Sequence, residues 1–427
     1  MLTVGNQIKV TAIDLDYLGQ GVVKHEGYVI FVPKLLDTEE AIIEITKINK
    51  NFGEAKIIKL IKISQDRVTS SNQNLGSIEV SHMSIKKQLD FQIKTTTETL
   101  KKIANIDVNT SDIITDYQDK HYRNKVLFHV LEDKYLKLGL FDESNRNLVQ
   151  VKNFVLANPK VNEVLEYLYT KKIEIDSKIF KHMIFRTNKN QELLITIVSL
   201  KPRFIGLNEL INELILIQDI VGITLNIKDD HKSNLGKKSL ILYKNNLMTQ
   251  YIGNKQFYIN DKSFFQVNSN VIEMVYSKIK KMMIPNQVAL DLYSGVGSIG
   301  FFIQDQQKKV IMVESNQDSI NMALMTKEKY NYQNVDIIKG FAEKEINELD
   351  GDILIVDPPR NGLFTELITE IINKSFKQIF YLSCDLKTLS RDLKLLTNHY
   401  EIVEVIPIKM FFHTNEFETL VMMKGRS

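Results

Sequence analysis

The pattern of apolar and polar positions changes character along the chain. Over residues 1–62, short apolar runs alternate with turn signals at Gly5, Gly19–Gln20–Gly21, Gly27 and Asn51–Phe52–Gly53. Four or five short strands at this spacing predict a small β-barrel. Residues 65–85, with Ser, Asn, Gln and Gly, read as a loop or linker. Residues 86–106 carry Leu89, Phe91, Ile93, Leu100 and Ile103, which predicts a helix with its lysines on the outer side. From His121 to about residue 255 the pattern is α+β: extended stretches at Val126–Val130, Tyr135–Leu140 and Leu193–Ser199, and a helix at Asn158–Thr170. Beyond it, strands and helices alternate. Val288–Leu292 is an apolar run with an acid in it, Asp291, and leads through the glycine-rich turn Tyr293–Gly297 into a helix. Lys309–Val313 is a second strand, ended by Glu314. A third, through Val356, ends in Asp357-Pro358-Pro359-Arg360. A fourth, from Gln378, ends in Cys384. This alternation predicts an open α/β sheet, whose ligands bind outside the carboxyl ends of the strands.

The acids at those ends change the picture. A glycine-rich turn after a strand serves nucleotides, flavins and S-adenosylmethionine alike. Glu314 lies one strand–helix–strand unit after Asp291, where a carboxylate accepts hydrogen bonds from ribose hydroxyls. The turn has no phosphate-loop lysine, which argues against a nucleoside triphosphate. Together with Asp357-Pro358-Pro359-Arg360, these cues point to an S-adenosylmethionine methyltransferase sheet.

Composition narrows the rest. A length of 427 residues suggests two or three domains. The 44% hydrophobic and 25% charged fractions are ordinary for a soluble globular chain. No apolar segment is long enough to span a membrane, and MLTVGNQIKV lacks the regions of a secretory signal, so the expected location is cytoplasmic. A net charge of +3 permits local basic patches without requiring a nucleic-acid partner. The single cysteine, Cys384, excludes an internal disulfide and a cysteine-held metal cluster, so no metal site is expected.

Cys384 stands at the end of a predicted strand on the same rim as Asp291, Glu314 and Asp357, and Asp385–Asp392 opens a helix after it. A helix N-terminus favours a thiolate, although a free cysteine is often only a small buried hydrophobe. A thiolate beside a methyl donor suggests uracil chemistry. Addition of the thiolate to carbon 6 makes carbon 5 nucleophilic, and after methylation a base must remove the carbon-5 proton. Glu418, just before the last predicted strand and among phenylalanines, would have a raised pKa suited to that task. The other reading of Glu418 is a solvated strand-edge residue. His413 could bind a phosphate or cap a turn.

In order along the chain, Phe264-Phe265-Gln266-Val267-Asn268, Asp291–Gly297, Glu314, Asp357–Arg360, Ser383-Cys384-Asp385 and His413-Thr414 with Glu418 resemble the RNA 5-methyluridine (uracil-5-) methyltransferase family over essentially the whole chain. Asp16–Val23 with Tyr28–Pro33 resembles its N-terminal TRAM module, an OB-like RNA-binding barrel; the alternative is a barrel that only packs on its neighbour. The resemblance implies a TRAM-like barrel at 1–62, a central α+β domain at 63–255, and a Rossmann-like class I methyltransferase domain at 256–427, with part of 86–120 packing on the last. It implies that Gln266, Tyr293, Glu314 and Asp357 contact S-adenosylmethionine, that Cys384 is the nucleophile and Glu418 the base. It further implies that Phe264 lies near the target base, where core packing is the other reading, and that His413 contacts substrate. The implied substrate is structured RNA, with 23S ribosomal RNA favoured over transfer RNA, and the implied state is a monomer.

Three departures from the family stand out. Many members hold an iron–sulfur cluster on four cysteines. Here the matching stretch is Ser71–His82 and the later position is Phe154, so no cluster is expected. Leu386 replaces a proline two residues after the nucleophile, and Lys409–Thr414 departs from an Asp-x-Phe-Pro-His-Thr pattern. Two other functions stay open: an RNA-binding protein whose catalysis has decayed, and an amino-group methyltransferase on adenine or guanine. The retained Cys384 and Glu418 argue against both.

Overall fold

A computed structural model describes residues 2–69, 75–108, 110, 112–229 and 233–426. The N-terminal sheet has six strands, from Gln7–Thr11 to Phe52–Lys62. The strand beyond the expected four or five is the two-residue Asp14–Leu15. Alternation along Gly21–His25, Tyr28–Val32 and Glu40–Ile48 turns Val23, Ile30, Val32, Ala41, Ile43 and Ile45 into one buried core.

The next segment departs from a free linker. Ser71–Asn74 lie outside the described residues, but Leu75, Ile78, Val80 and Met83 are buried. Gly76 N donates to Phe141 O in the central region at 3.0 Å, and Val80 N to His413 O at 3.0 Å. The small polar residues between these four apolar anchors disguise a strap that touches all three parts of the chain.

The helix Ile85–Thr99 is capped by Ser84, whose Oγ accepts from Lys87 N at 3.1 Å, and runs into a π-helical turn at Leu100–Ala104. Its lysines are not simply an outer, solvated face. Lys87 Nζ donates to Asp37 at 2.7 Å, in the turn before the strand Glu40–Ile48, and Lys94 Nζ to Asp14 at 2.5 Å, in the N-terminal sheet. The opposite face meets the C-terminal sheet, where Gln92 Nε2 donates to Ile408 O at 2.8 Å and Leu100 joins the core of Leu290 and Leu393. One helix therefore fixes the first module against the last.

The central region is a seven-stranded sheet with helices Pro159–Lys171 and Leu207–Ile215. Phe154 is buried in its core, its ring 6.2 Å from that of Phe128.

The C-terminal sheet has seven strands, which we number β1 (Val288–Leu292), β2 (Lys309–Glu314), β3 (Val335–Lys339), β4 (Ile353–Val356), β5 (Gln378–Ser383), β6 (Tyr400–Ile408) and β7 (Glu418–Gly425). Their order is β3-β2-β1-β4-β5-β7-β6. Neighbours from β3 to β5 are parallel, and β7 runs antiparallel between β5 and β6. The order reverses direction between β1 and β4, the switch point where such sheets open a crevice at their carboxyl ends. Strand β5 is buried throughout, as a central strand covered on both faces must be. Behind its end, Asp392 accepts from Tyr381 Oη at 2.7 Å, Leu363 N at 2.8 Å and Arg391 Nε at 2.8 Å. This buried carboxylate ties the loop after β4 to the helix after β5. Among the described residues, no helix is long and apolar enough to cross a membrane.

Candidate active site

Strand register sets the site. Leu292 pairs with Val313 on one side and Val356 on the other, so Tyr293, Glu314 and Asp357 stand one residue further on, at a common level. The turn between them is tight. Tyr293, Gly295 and Gly297 all have positive φ, at 61°, 57° and 82°. Gly300 packs closely, since a Cβ there would lie 2.5 Å from Met312 Sδ and 3.0 Å from Asp291 Oδ2. Gly295 N donates to Glu314 Oε2 at 2.8 Å and Asn316 N to Glu314 Oε1 at 2.7 Å. Oε1 also meets Ser315 Oγ at 3.5 Å, while Oε2 keeps a further lone pair for a ligand's hydroxyl. A Cβ on Gly295 would meet nothing within 4 Å, so the turn borders open space. This cradle of glycine backbone and an oriented carboxylate fits a nucleoside with free ribose hydroxyls.

Asp291 has a different role from the other acids. It is wholly buried, and Oδ2 accepts from Gly300 N at 2.9 Å, bracing the glycine turn from below. Burial pushes its pKa up to about 8, helped by the charges of Asp357 and Glu314. Asp357 is partly buried and receives Gln266 Nε2 at 3.3 Å; desolvation pushes it up to about 7. Gln266 is itself positioned through its backbone, where its carbonyl accepts from Asn124 Nδ2 at 3.0 Å. Asn124 is a positioning residue that sequence patterning missed, since 142 residues separate the partners.

The second half of the site lies across β5 and β7. Ser383 pairs with Thr419 in an antiparallel ladder, so the next step of the register sets Cys384 opposite Glu418. Glu418 is buried, and burial, then Asp357 and Glu416, hold its carboxyl well above the usual range. The expected raised pKa therefore has burial and neighbouring carboxylates as its cause. Cys384 corrects the expectation of a favoured thiolate. Burial, with Glu418 and Asp357 beside it, pushes the thiol up to about 12, against the opposing charge of Arg360. The helix N-terminus does little for it because Asp385 is the N-cap, taking Lys387 N at 3.0 Å and Thr388 N at 2.8 Å. Leu386, at the first helical position, packs into the core beneath.

Two other residues separate clearly. Phe264 is 61% exposed and Phe265 3% exposed, so core packing describes the second and not the first. His413 is drawn inward. One ring nitrogen meets Gln88 Nε2 at 3.2 Å and the other Asp119 Oδ2 at 3.2 Å, while its backbone N donates to Gln88 Oε1 at 2.7 Å. With both ring nitrogens and the backbone N engaged, His413 holds the turn that leads into Glu418. The altered Lys409–Thr414 stretch closes the same turn: Lys409 is buried and its Nζ donates to Thr414 O at 3.3 Å. Sequence patterning also passed over Glu343, which accepts from Tyr293 Oη at 2.5 Å, and exposed Phe341 just past the end of β3.

The model of the tRNA (uracil-5-)-methyltransferase family matches residues 85–426, most of the chain. The chain belongs to that family. An RNA methyltransferase of Clostridium tetani is 31% identical over 95% of this chain and 93% of its own length. One of Oceanobacillus iheyensis is 32% identical over 95% and 94%. The solved Pyrococcus abyssi tRNA (uracil-54, C5)-methyltransferase, in complex with S-adenosyl-L-homocysteine, has a TM-score of 0.75 at 22% identity, covering 97% of this chain and all of that one. This likeness shows a shared fold over nearly the whole chain.

The raised acids give a pH signature. A carboxyl at about 3.9 when unfolded and about 8 when folded, as for Asp291, binds more protons in the folded state between those values. Stability contributed by that proton is present at low pH and is lost as pH rises toward 8. Asn at this position keeps an acceptor for Gly300 N without the charge. The melting temperature of Asp291→Asn should therefore gain on wild type between about pH 5 and 8 and level off above; a constant difference across that range contradicts the raised acid.

Proposed function

We propose that this protein methylates carbon 5 of uracil in structured RNA with S-adenosylmethionine as donor, through a covalent bond between Cys384 and carbon 6. The observation that carries the reading is the β5–β7 register, which brings a thiol and a buried carboxyl face to face beside the nucleoside cradle. Glu314 would hold the donor's ribose hydroxyls, and Asp357 with Gln266 the donor's neighbouring polar groups, at the same level as Tyr293. When bound, S-adenosylmethionine supplies an electrophilic methyl group. Cys384 loses its proton to solvent and adds as the thiolate to carbon 6 of the uracil, turning carbon 5 into a nucleophile. Glu418 takes the carbon-5 proton once the methyl group is in place, and the Cys384 bond then breaks to restore the ring. A carboxyl held above its usual range by burial suits this proton transfer. Exposed Phe264, two residues before Gln266, offers a face on which a base can stack.

The expected setting is the cytoplasm, and the expected form a monomer. From resemblance, 23S ribosomal RNA is the proposed target over transfer RNA; mapping 5-methyluridine in both RNAs, with and without the gene, separates the two. An iron–sulfur cluster does not fit the residues present. Such a cluster needs four thiolates, the chain has only Cys384, and Phe154 fills an apolar core. Active protein prepared anaerobically should carry no stoichiometric iron, and finding it contradicts this part of the reading.

The two catalytic side chains should fail differently. Cys384→Ala should abolish methylation and leave no covalent RNA complex. Glu418→Gln should stall after methyl transfer, since loss of a positioned base costs about 10²–10⁴-fold, and a methylated protein–RNA adduct should survive denaturing electrophoresis. Normal methylation by Cys384→Ala would sink the covalent mechanism and favour amino-group chemistry. Normal turnover by Glu418→Gln would move the base elsewhere.

A further inference from the structure

The central sheet has one face that its hydrophobic core does not use. Val126 and Phe128 on the strand Lys125–Val130, and Met183 and Phe185 on Phe180–Thr187, belong to that core. The register therefore turns three opposed pairs to the other face: Lys125 with Arg186, Leu127 with Ile184, and His129 with His182. Side chains so opposed have Cβ atoms about 4.5–5.5 Å apart, and like charges there repel. Lys125 and Arg186 are two cations in that position. Arg186 is 2% exposed; Nη2 donates to Ser263 O at 2.6 Å, and Nε has no partner. It meets Asp261 only at the backbone O, at 3.4 Å, while the Asp261 carboxylate takes Ser239 Oγ at 2.6 Å and Asn246 Nδ2 at 3.2 Å. Burial, then the Arg186 charge, pushes partly buried Lys125 down to about 7, with no acid opposing the shift. Burying cations without a counter-charge is costly, and an anion on this face would supply the missing partner.

The patch borders the candidate active site. Asn124, one residue before Lys125, holds Gln266 O, and Ser263, which Arg186 holds, adjoins exposed Phe264. Away from that seam the face opens. Phe141 is 37% exposed, its ring 4.8 Å from that of His129, which lies 5.7 Å from His182. Open aromatic rings on either side of unpaired cations suit a nucleic-acid strand, whose bases stack while its phosphates meet positive charge. We propose that Lys125, backed by Arg186, binds a backbone phosphate of the RNA beside the base that Phe264 receives, with Phe141 offering a stacking face to a neighbouring base. Lys125 makes the contact, and buried Arg186 adds its field and fixes the seam through Ser263. The inference rests on the proposed RNA substrate, not on uracil chemistry.

The test is binding of labelled oligouridylate and oligocytidylate to the full-length protein, followed by fluorescence anisotropy against salt with no methyl donor. A phosphate contact is blind to the base, so wild type should bind both. Lys125→Gln should weaken both by about three- to tenfold at low salt, and flatten the dependence of log affinity on log salt by about 0.7, the value for one phosphate of a single strand. Lys125→Arg, which keeps the charge, should restore most of the loss. Lys125→Gln should keep wild-type affinity for S-adenosylhomocysteine by calorimetry, with circular dichroism as a check on folding. A second measurement needs no variant: bound oligocytidylate should protect Lys125 of wild type from acetylation by an N-hydroxysuccinimide ester, read by peptide mass spectrometry. Unchanged affinity and slope for Lys125→Gln, an unprotected Lys125, or failure of wild type to bind either strand at low salt overturns the proposal. So does a loss confined to oligouridylate, which assigns Lys125 to the base, or a folded variant that loses S-adenosylhomocysteine, which assigns it to the donor. Oligocytidylate carries no uracil and no methyl group is transferred, so the phosphate site and the uracil-5 reading fail separately.

Discussion

The structure depends on keeping acids at the dry end of a sheet. Asp291 and Glu418 are buried and Asp357 is partly so, each with its proton held more tightly than in water. Burying a carboxylate is costly unless it is paired or neutralised. Here the cost is met by hydrogen bonds from Gly300 N and Gln266 Nε2 and by protonation. A cationic donor would meet the remaining negative charge, which makes the rim complementary to a sulfonium compound. The same surroundings hold Cys384 as a thiol, so its ionisation is coupled to whatever positive charge the rim acquires.

Such a rim must be held still, and most of the remaining chain does this. The helix Ile85–Thr99 joins the N-terminal sheet to the last strands through Lys87, Lys94 and Gln92. The strap from Leu75 to Met83 fills the junction of the three parts. His413, taken up by Gln88 and Asp119, fixes the turn that leads into Glu418. Asp392 locks the Arg360 loop onto the Cys384 helix. Each tie acts on a residue adjacent to the chemistry rather than on the chemistry itself.

Much of this was legible in the sequence because it is local. The apolar runs of β1, β2, β4 and β5, each closing on a polar residue, marked the sheet and its rim almost to the residue. What escaped was long-range. Lys87 and Lys94 look solvated until the N-terminal module supplies Asp37 and Asp14. His413 looks available until Asp119, 294 residues away, occupies it. The thiol was read from a helix N-terminus, which Asp385 already caps, and the neighbouring acids reverse the expected shift. Phe264 and Phe265 are indistinguishable by type, and only their exposure separates them.

The central claim is that the methyl group goes to carbon 5 of uracil and displaces the hydrogen there. RNA substrate carrying tritium at carbon 5 of its uridines tests it directly. Incubation with the protein and S-adenosylmethionine should release tritium to water in step with methyl incorporation, about one for one on the chemistry of addition and proton removal. Methyl incorporation with no tritium release would contradict the account and assign the transfer to another atom of the RNA.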